Sequence, residues 1–283
     1  MTDIIRSIIY GIIEGITEWL PVSSTGHMIL LNEFVKMDQS EEFFSMFLVV
    51  IQLGAILAVV ILFWNKLWPF ASKKNNPDPI KPEGILSVFV KPRWIMWVKI
   101  LIACVPAAIV GVLFDDMLDE LFYNPTCVAI ALIAFGIAFI VIESLELKNA
   151  GTTTSIDDIT YKQALIIGCW QLIAAVFPGT SRSGATIIGA LLLGISRGAA
   201  AEFTFLLAVP VMLGASLLKV VKFGFDFTGM EIAVLLTGMV TAFIVSIVII
   251  RFLLGYIRKH NFKVFGYYRI VLGLMVFGYF AFK

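Results

Sequence analysis

Charge is scarce in this chain. Asp, Glu, Lys and Arg make up 14% of its 283 residues and 60% are hydrophobic, whereas a water-soluble domain is about a quarter charged. A soluble globular fold is excluded, and a polytopic membrane protein is what remains. Basic tracts are missing too: the net charge is +1 and Lys and Arg gather only in particular loops, which excludes nucleic acid as a partner. Cysteine is limited to Cys104, Cys127 and Cys169, an odd number without CxxC spacing, each inside an apolar run. Neither a disulfide framework nor a zinc site is expected from them, and each reads as a small buried hydrophobe. The N-terminus lacks the succession of basic, apolar and small residues that marks a removable signal peptide, because Asp3 and Arg6 lead directly into an apolar run ending at Glu14.

What the chain has is apolar length. Stretches near the roughly 20 residues needed to cross a bilayer occur at Phe43–Trp64, Ile95–Phe114, Cys127–Leu145, Phe203–Val221, Ile232–Leu254 and Val264–Phe282. Two more apolar segments, Ile4–Leu31 and Tyr161–Leu193, are interrupted by Pro and a Gly/Ser/Thr cluster. Proline removes a helical donor and clashes with the preceding turn, so each should fold as helix, loop and helix. Lys and Arg crowd the loop Asn65–Trp94 and the loop holding Arg258, Lys259 and Lys263, whereas Asp115–Asn124 and Gly224–Glu231 have none. By the positive-inside rule the first two are cytoplasmic, the other two are outside with both termini, and the interrupted segments enter from opposite faces. If both are re-entrant, their tips at Ser23–His27 and Thr180–Thr186 meet inside the membrane.

The two halves are alike. Gly11-x-x-Glu14 through Pro21 matches Gly168-x-x-Gln171 through Pro178 at an offset of 157, and Glu42-Phe43 with Leu53-Gly-Ala matches Glu202-Phe203 with Leu213-Gly-Ala at 160. The expected fold is therefore an all-α polytopic membrane protein: six transmembrane helices plus two re-entrant helix hairpins in an inverted-topology repeat. It forms a single integral membrane domain, with repeat one at about 1–145 and repeat two at about 160–283. Inverted repeats place their site at the repeat interface, on interrupted helices. Glu42 and Glu202, which precede apolar spans, read as boundary caps, Glu143 as an interhelical partner, and Gln171 as a supporting residue of the site.

Polar chemistry concentrates in the two interruptions, where unpaired polar groups at membrane depth are costly and hence functional candidates. Glu14 and Glu18 are one helical turn apart on one face; such a pair holds a divalent cation through oxygen, or divides into a base and an ionised neighbour. Ser23, Ser24 and Thr25 set three hydroxyls beside His27, one of two histidines in the chain, and a serine attacks only when an adjacent base takes its proton. A helix N-cap explains one of those hydroxyls but not the imidazole. Gly179, Thr180 and Ser181 read as a turn opening a helix, whose free N–H groups and dipole make an anion site. Arg182 adds a planar cation suited to phosphate, or a buried partner for Glu14 or Glu18, with Ser183 and Thr186 alongside. Carboxylates, a hydroxyl, an imidazole and a phosphate clamp together serve phosphoryl transfer, and a site at membrane depth favours a phosphate carried on a lipid tail.

The stretch from Glu14 and Glu18 through Pro21 to Ser23, Ser24, Thr25, Gly26 and His27, together with Pro178-Gly179-Thr180-Ser181-Arg182-Ser183-Gly184-Ala185-Thr186, resembles the bacterial undecaprenyl-diphosphate phosphatase family, the bacitracin-resistance type. The similarity runs nearly end to end. It implies hydrolysis of the lipid-carrier diphosphate to the monophosphate at the outer face of the bacterial cytoplasmic membrane, recycling the carrier for wall synthesis. It further implies Glu14 and Glu18 as metal and acid/base carboxylates, Ser24 as nucleophile beside Ser23 and Thr25, and His27 in proton transfer. Arg182 with Ser181, Ser183 and Thr186 becomes the diphosphate-binding loop, and magnesium or calcium the divalent cation. The expected partners are a polyprenyl diphosphate and membrane lipids; a homodimer is allowed but not required. The acid-phosphatase-like lipid phosphatases also pair Ser-Gly-His with Ser-Arg, but they need a histidine several residues after that arginine, and the stretch following Arg182 contains none. A lipid-carrier flippase or transporter is the alternative function, on the strength of the broken helices, and a channel is more distant because no span carries a repeated polar stripe.

Overall fold

The long apolar runs become the long helices of this protein, two of them continuing through a proline, Pro106 and Pro210, as seen in a computed structural model that describes residues 2–81, 83–145 and 153–283. Six candidate membrane spans lie at Glu41–Leu62, Lys91–Phe114, Pro125–Ser144, Arg197–Phe223, Gly229–Ile257 and Lys263–Ala281, each overlapping a stretch expected from hydropathy. In chain order the helices are α1 (Asp3–Thr17), α2 (Ser24–Phe34), α3 (Glu41–Val50), α4 (Gln52–Leu62), the short α5 (Trp64–Leu67), α6 (Lys91–Phe122) and α7 (Pro125–Ser144). They continue with α8 (Tyr161–Val176), α9 (Arg182–Leu192), α10 (Arg197–Phe223), α11 (Gly229–Ile257) and α12 (Lys263–Ala281). The starts are set by side-chain caps: Ser40 for α3, Asn124 with Pro125 for α7, Ser196 for α10, and a Thr228–Glu231 capping box for α11.

Both interrupted segments are helix, break and helix as expected: α1 and α2 flank 18–23, and α8 and α9 flank 177–181. At about 1.5 Å per residue none of these four helices reaches a bilayer's thickness. Three expectations change. The stretch Asp115–Asn124 was expected as a loop but is helical to Phe122, because Met117, Leu118 and Leu121 extend the apolar pattern and no Gly or Pro intervenes; the side chains at 115, 116 and 119 lie outside the described residues. Glu202 is not a boundary cap: it sits in the second turn of α10 and ion-pairs with Lys66. Cys169 is exposed, and Cys104 and Cys127 are only half-buried, since α8 turns that face away from the protein, where lipid tails accept a thiol as readily as a core does.

Helix pairs pack through glycine. Helix α1 lies on α11 as α8 lies on α6, and α7 crosses α12. A Cβ on Gly11 would stand 2.6 Å from the Gly238 carbonyl, and one on its counterpart Gly168 would stand 2.4 Å from that of Ala103. Gly136 and Gly266 face each other's carbonyls across the α7–α12 crossing at 2.8 and 2.7 Å. Close backbone approach through small residues is how helices associate where lipid removes the hydrophobic drive.

The tightest approach is at Gly54, where a Cβ would lie 2.0 Å from the Met239 carbonyl oxygen of α11. Gly54→Ala is expected to destabilise the protein by about 1–3 kcal/mol through overpacking. Thermal unfolding of purified protein in detergent reads this directly, and an unshifted midpoint would mean that α4 and α11 do not pack this closely.

Candidate active site

The two breaks meet. Glu18, the C-cap of α1, and Arg182, the first residue of α9, are 164 positions apart, yet Arg182 Nη2 donates to Glu18 Oε1 at 2.9 Å. The other carboxylate oxygen, Oε2, accepts from Ser24 Oγ at 3.2 Å, and the Glu18 backbone carbonyl accepts from Ser183 Oγ, also at 3.2 Å. One glutamate from the first break thus holds a hydroxyl from its own segment and the guanidinium of the other. Only 7% of Glu18 is exposed, and in so dry a place a carboxylate needs this partner: removing one member of a buried pair costs about 3–5 kcal/mol.

Each break is locked by a serine in an uncommon backbone conformation. Ser23 has φ 73° and ψ 105°, Ser181 has φ 69° and ψ 121°, and each side chain caps the following helix by accepting from the N–H of Gly26 or Gly184. L residues rarely adopt a positive φ, and strain of this kind gathers at functional sites. The conformation leaves the N–H groups of Ser23, Ser24 and Thr25, and of Ser181, Arg182 and Ser183, without an acceptor among the described residues. Two helix N-termini with free amides therefore flank the same glutamate, Glu18, through Ser24 and Arg182, and such N-termini favour an anion. Gly179, at φ 94°, is obligatory for a second reason: a Cβ there would lie 2.6 Å from the Val128 carbonyl.

Helix α10 supplies the common wall. Arg182 Nη1 donates to the Thr204 carbonyl at 3.0 Å, Thr204 Oγ1 donates to Thr186 Oγ1 at 2.9 Å, and Thr186 Oγ1 returns a hydrogen bond to the Arg182 carbonyl at 2.9 Å. On the other side Trp19, fully buried, sets its ring edge-on to Phe205 at 5.3 Å. Adjacent residues of α10 thus hold one break apiece. Thr186→Val, which keeps the shape and removes the hydroxyl, is expected to lower stability by about 1–3 kcal/mol because the Thr204 hydroxyl is left buried and unpaired. Thermal unfolding of the variant checks this, and an unchanged midpoint would count against the loop of hydrogen bonds.

Not every expected residue joins the network. His27 does not touch Ser24: its Nδ1 donates to the Ser23 carbonyl at 2.7 Å, so in the neutral ring Nε2 accepts from Tyr268 Oη, also at 2.7 Å, with the two rings stacked. Thr25 is half-buried and makes no side-chain hydrogen bond among the described residues. Glu14, 1% exposed, sits one turn before Glu18, and its Oε1 has no hydrogen-bond partner there; the same holds for Thr180 Oγ1, Arg182 Nε and both polar atoms of Gln171.

Residues 7–275 match the family described as Bacitracin resistance protein BacA. The chain belongs to the BacA family. Relatives agree over nearly the whole length: an undecaprenyl-diphosphatase of Enterococcus faecalis is 57% identical over 97% of this chain and 96% of its own. An undecaprenyl-diphosphatase of Desulfitobacterium hafniense is 56% identical over 99% and 97%, and undecaprenyl-diphosphatase 1 of Clostridium acetobutylicum is 57% identical over 98% and 97%.

Sequence reasoning on this BacA-family chain missed three residues at the site: Thr204, Tyr268 and Arg269. Thr204 gives no signal inside an apolar helix. Arg269 does, since an arginine within the span Lys263–Ala281 is a functional candidate by position alone, and its neighbour Tyr268 follows from it.

Proposed function

We propose that this chain hydrolyses undecaprenyl diphosphate to undecaprenyl monophosphate and inorganic phosphate, the reaction named for its relatives. The observation that carries the reading is the Glu18–Arg182 pair between two helix N-termini: a hydroxyl, a base and a cation stand where six free amides accept an anion. In this reading the terminal phosphate rests on the N–H groups of Ser181, Arg182 and Ser183, and the other phosphate on those of Ser23, Ser24 and Thr25. Arg182 presents its N–H edge to the terminal phosphate, the group transferred, as a fixed charge that costs no reorganisation during reaction. Ser24 Oγ attacks the terminal phosphorus while Glu18 takes its proton over the hydrogen bond already made, the bond from that phosphorus to the bridging oxygen breaks, and the lipid monophosphate leaves; water then cleaves the Ser24–phosphorus bond to release inorganic phosphate. His27, held by Ser23 and Tyr268, positions the start of α2 and exchanges protons at the rim.

Glu14 and Glu18 fit a divalent cation. They are hard oxygen donors one turn apart, and Glu14 Oε1 is buried without a partner. Among the described residues no third acidic, His or Cys ligand joins them, which suits an ion of the magnesium kind that takes one or two carboxylates and completes its shell from phosphate and water. Such an ion, when bound, neutralises charge on the diphosphate.

The repeated packing and the paired positive-φ serines support an inverted-topology repeat with two re-entrant hairpins, and the Lys/Arg-rich loops 65–94 and 258–263 support an orientation in which the site opens outward. Lipid substrate and bilayer are the partners of this reading; a homodimer stays an open proposal.

The decisive assay is phosphate release from undecaprenyl diphosphate by the purified protein in detergent. Chelation by EDTA should abolish release and magnesium or calcium should restore it, while Ser24→Ala should lower turnover by about 10²–10⁴-fold. Full turnover in that variant would refute the assignment of the nucleophile. A flippase would instead move the carrier across vesicles without releasing phosphate.

A further inference from the structure

Arg269 is the most deeply buried cation of the fold and stands outside both breaks. It lies on the second turn of α12, is 0% exposed, and stacks its guanidinium 5.8 Å from the Phe135 ring centroid. No carboxylate meets it among the described salt bridges. Instead it donates only to backbone carbonyls: Nη1 to Pro21 at 3.2 Å, Nη2 to Gly179 at 2.9 Å and Thr180 at 2.7 Å, with longer contacts from Nε to Leu132 and from Nη2 to Ala131. A permanently charged group at such depth is expensive unless it serves a site.

Its partners are chosen from both breaks, and peptide geometry gives this a consequence. In a trans peptide the N–H points opposite to the C=O. With the Thr180 carbonyl turned onto Arg269, the Ser181 N–H must point the other way, to the side where it has no acceptor. The Pro21 carbonyl, bound to the same guanidinium, orients the first break two residues before Ser23. We infer that Arg269 is a positioning residue: it pins the two breaks to one rigid fork from behind, aims the Ser181 amide into the anion site, and polarises the peptide that carries it. Lysine cannot replace it, because a single ammonium is no planar fork able to reach the Pro21, Gly179 and Thr180 carbonyls together.

This inference rests on the phosphatase reading for its kinetic arm alone. The test is Arg269→Lys and Arg269→Met in the full chain, with two readouts: turnover of undecaprenyl diphosphate, and the inhibition or binding constant for inorganic diphosphate. Loss of charge-assisted orientation should weaken inorganic diphosphate about ten- to a hundredfold and lower turnover in both variants, since hydrogen bonds involving a charged group are of that order. Weakened turnover with unchanged diphosphate binding would mean that Arg269 only holds the fold, and would overturn the inference, as would wild-type values in both readouts. Should neither variant fold, Gly184→Ala decides the question on the same readouts. Its Cβ would lie 3.1 Å from Arg269 Nη1 and 3.2 Å from Ser181 Cβ, pressing on the guanidinium and on the residue whose amide it aims without deleting either, and unchanged diphosphate binding would again overturn the inference. A wild-type protein that binds diphosphate but releases no phosphate would instead defeat the phosphatase reading and leave the binding arm intact.

Discussion

Arg182→Ala is expected to lower kcat/KM for undecaprenyl diphosphate by about 10³–10⁵-fold, the range for an arginine that stabilises charge on a transferring phosphoryl group. Three effects point the same way. The variant loses the planar donor that faces the phosphate, strips Glu18 of its counter-ion, and frees the Thr204 carbonyl that Arg182 Nη1 holds. Glu18, which accepts from Ser24, thereby loses the partner that holds it in place, so the proposed base is disturbed along with the clamp. Arg182→Lys should recover little, because an ammonium cannot bridge Glu18 and Thr204 as the fork does. Steady-state phosphate release by monodisperse variants measures this, and an alanine variant within tenfold of wild type would remove Arg182 from the reaction.

Glu18→Gln comes next in size, with a loss of about 10²–10⁴-fold, as for a general base. The amide keeps the volume and one carbonyl oxygen, so the site should stay assembled while the group that takes the Ser24 proton disappears. Unlike Arg182→Ala, this variant should still bind inorganic diphosphate in metal-free buffer, since Arg182 and the free amides of α2 and α9 remain. Loss of turnover with retained binding is the expected pattern; equal loss of both would make Glu18 a structural brace instead.

Much of this arrangement was legible before any coordinates. The six spans follow from apolar run length, and Pro21 and Pro178 mark the breaks because each adjoins a Gly/Ser/Thr cluster, whereas Pro106 and Pro210, in apolar surroundings, lie inside continuous helices. That Glu18 and Arg182 belong together could be argued from polar groups isolated in lipid-compatible sequence. Their connectivity could not: which carboxylate takes Arg182, and that Ser24 turns to Glu18 and not to His27, depend on the positive-φ serines, whose conformation no composition betrays. The helical stretch 115–122 was missed because hydrophilic residues were read as a loop, although no Gly or Pro interrupts the helix there. Glu202 was misread for a related reason. Glu42, which matches it in sequence, does sit in a first turn, but α10 starts at Arg197, a turn earlier than its apolar run. Arg269 was overlooked inside an otherwise apolar span, where a single charge carried more information than the neighbours that hid it.

The central claim is that two remote breaks make one catalytic unit, and a double-mutant cycle on kcat/KM with Glu18→Gln, Arg182→Ala and the double variant tests it most directly. Residues acting as a unit are grossly non-additive, so the double variant should be scarcely slower than the worse single one. If the two losses multiply instead, Glu18 and Arg182 act independently and the shared site is contradicted.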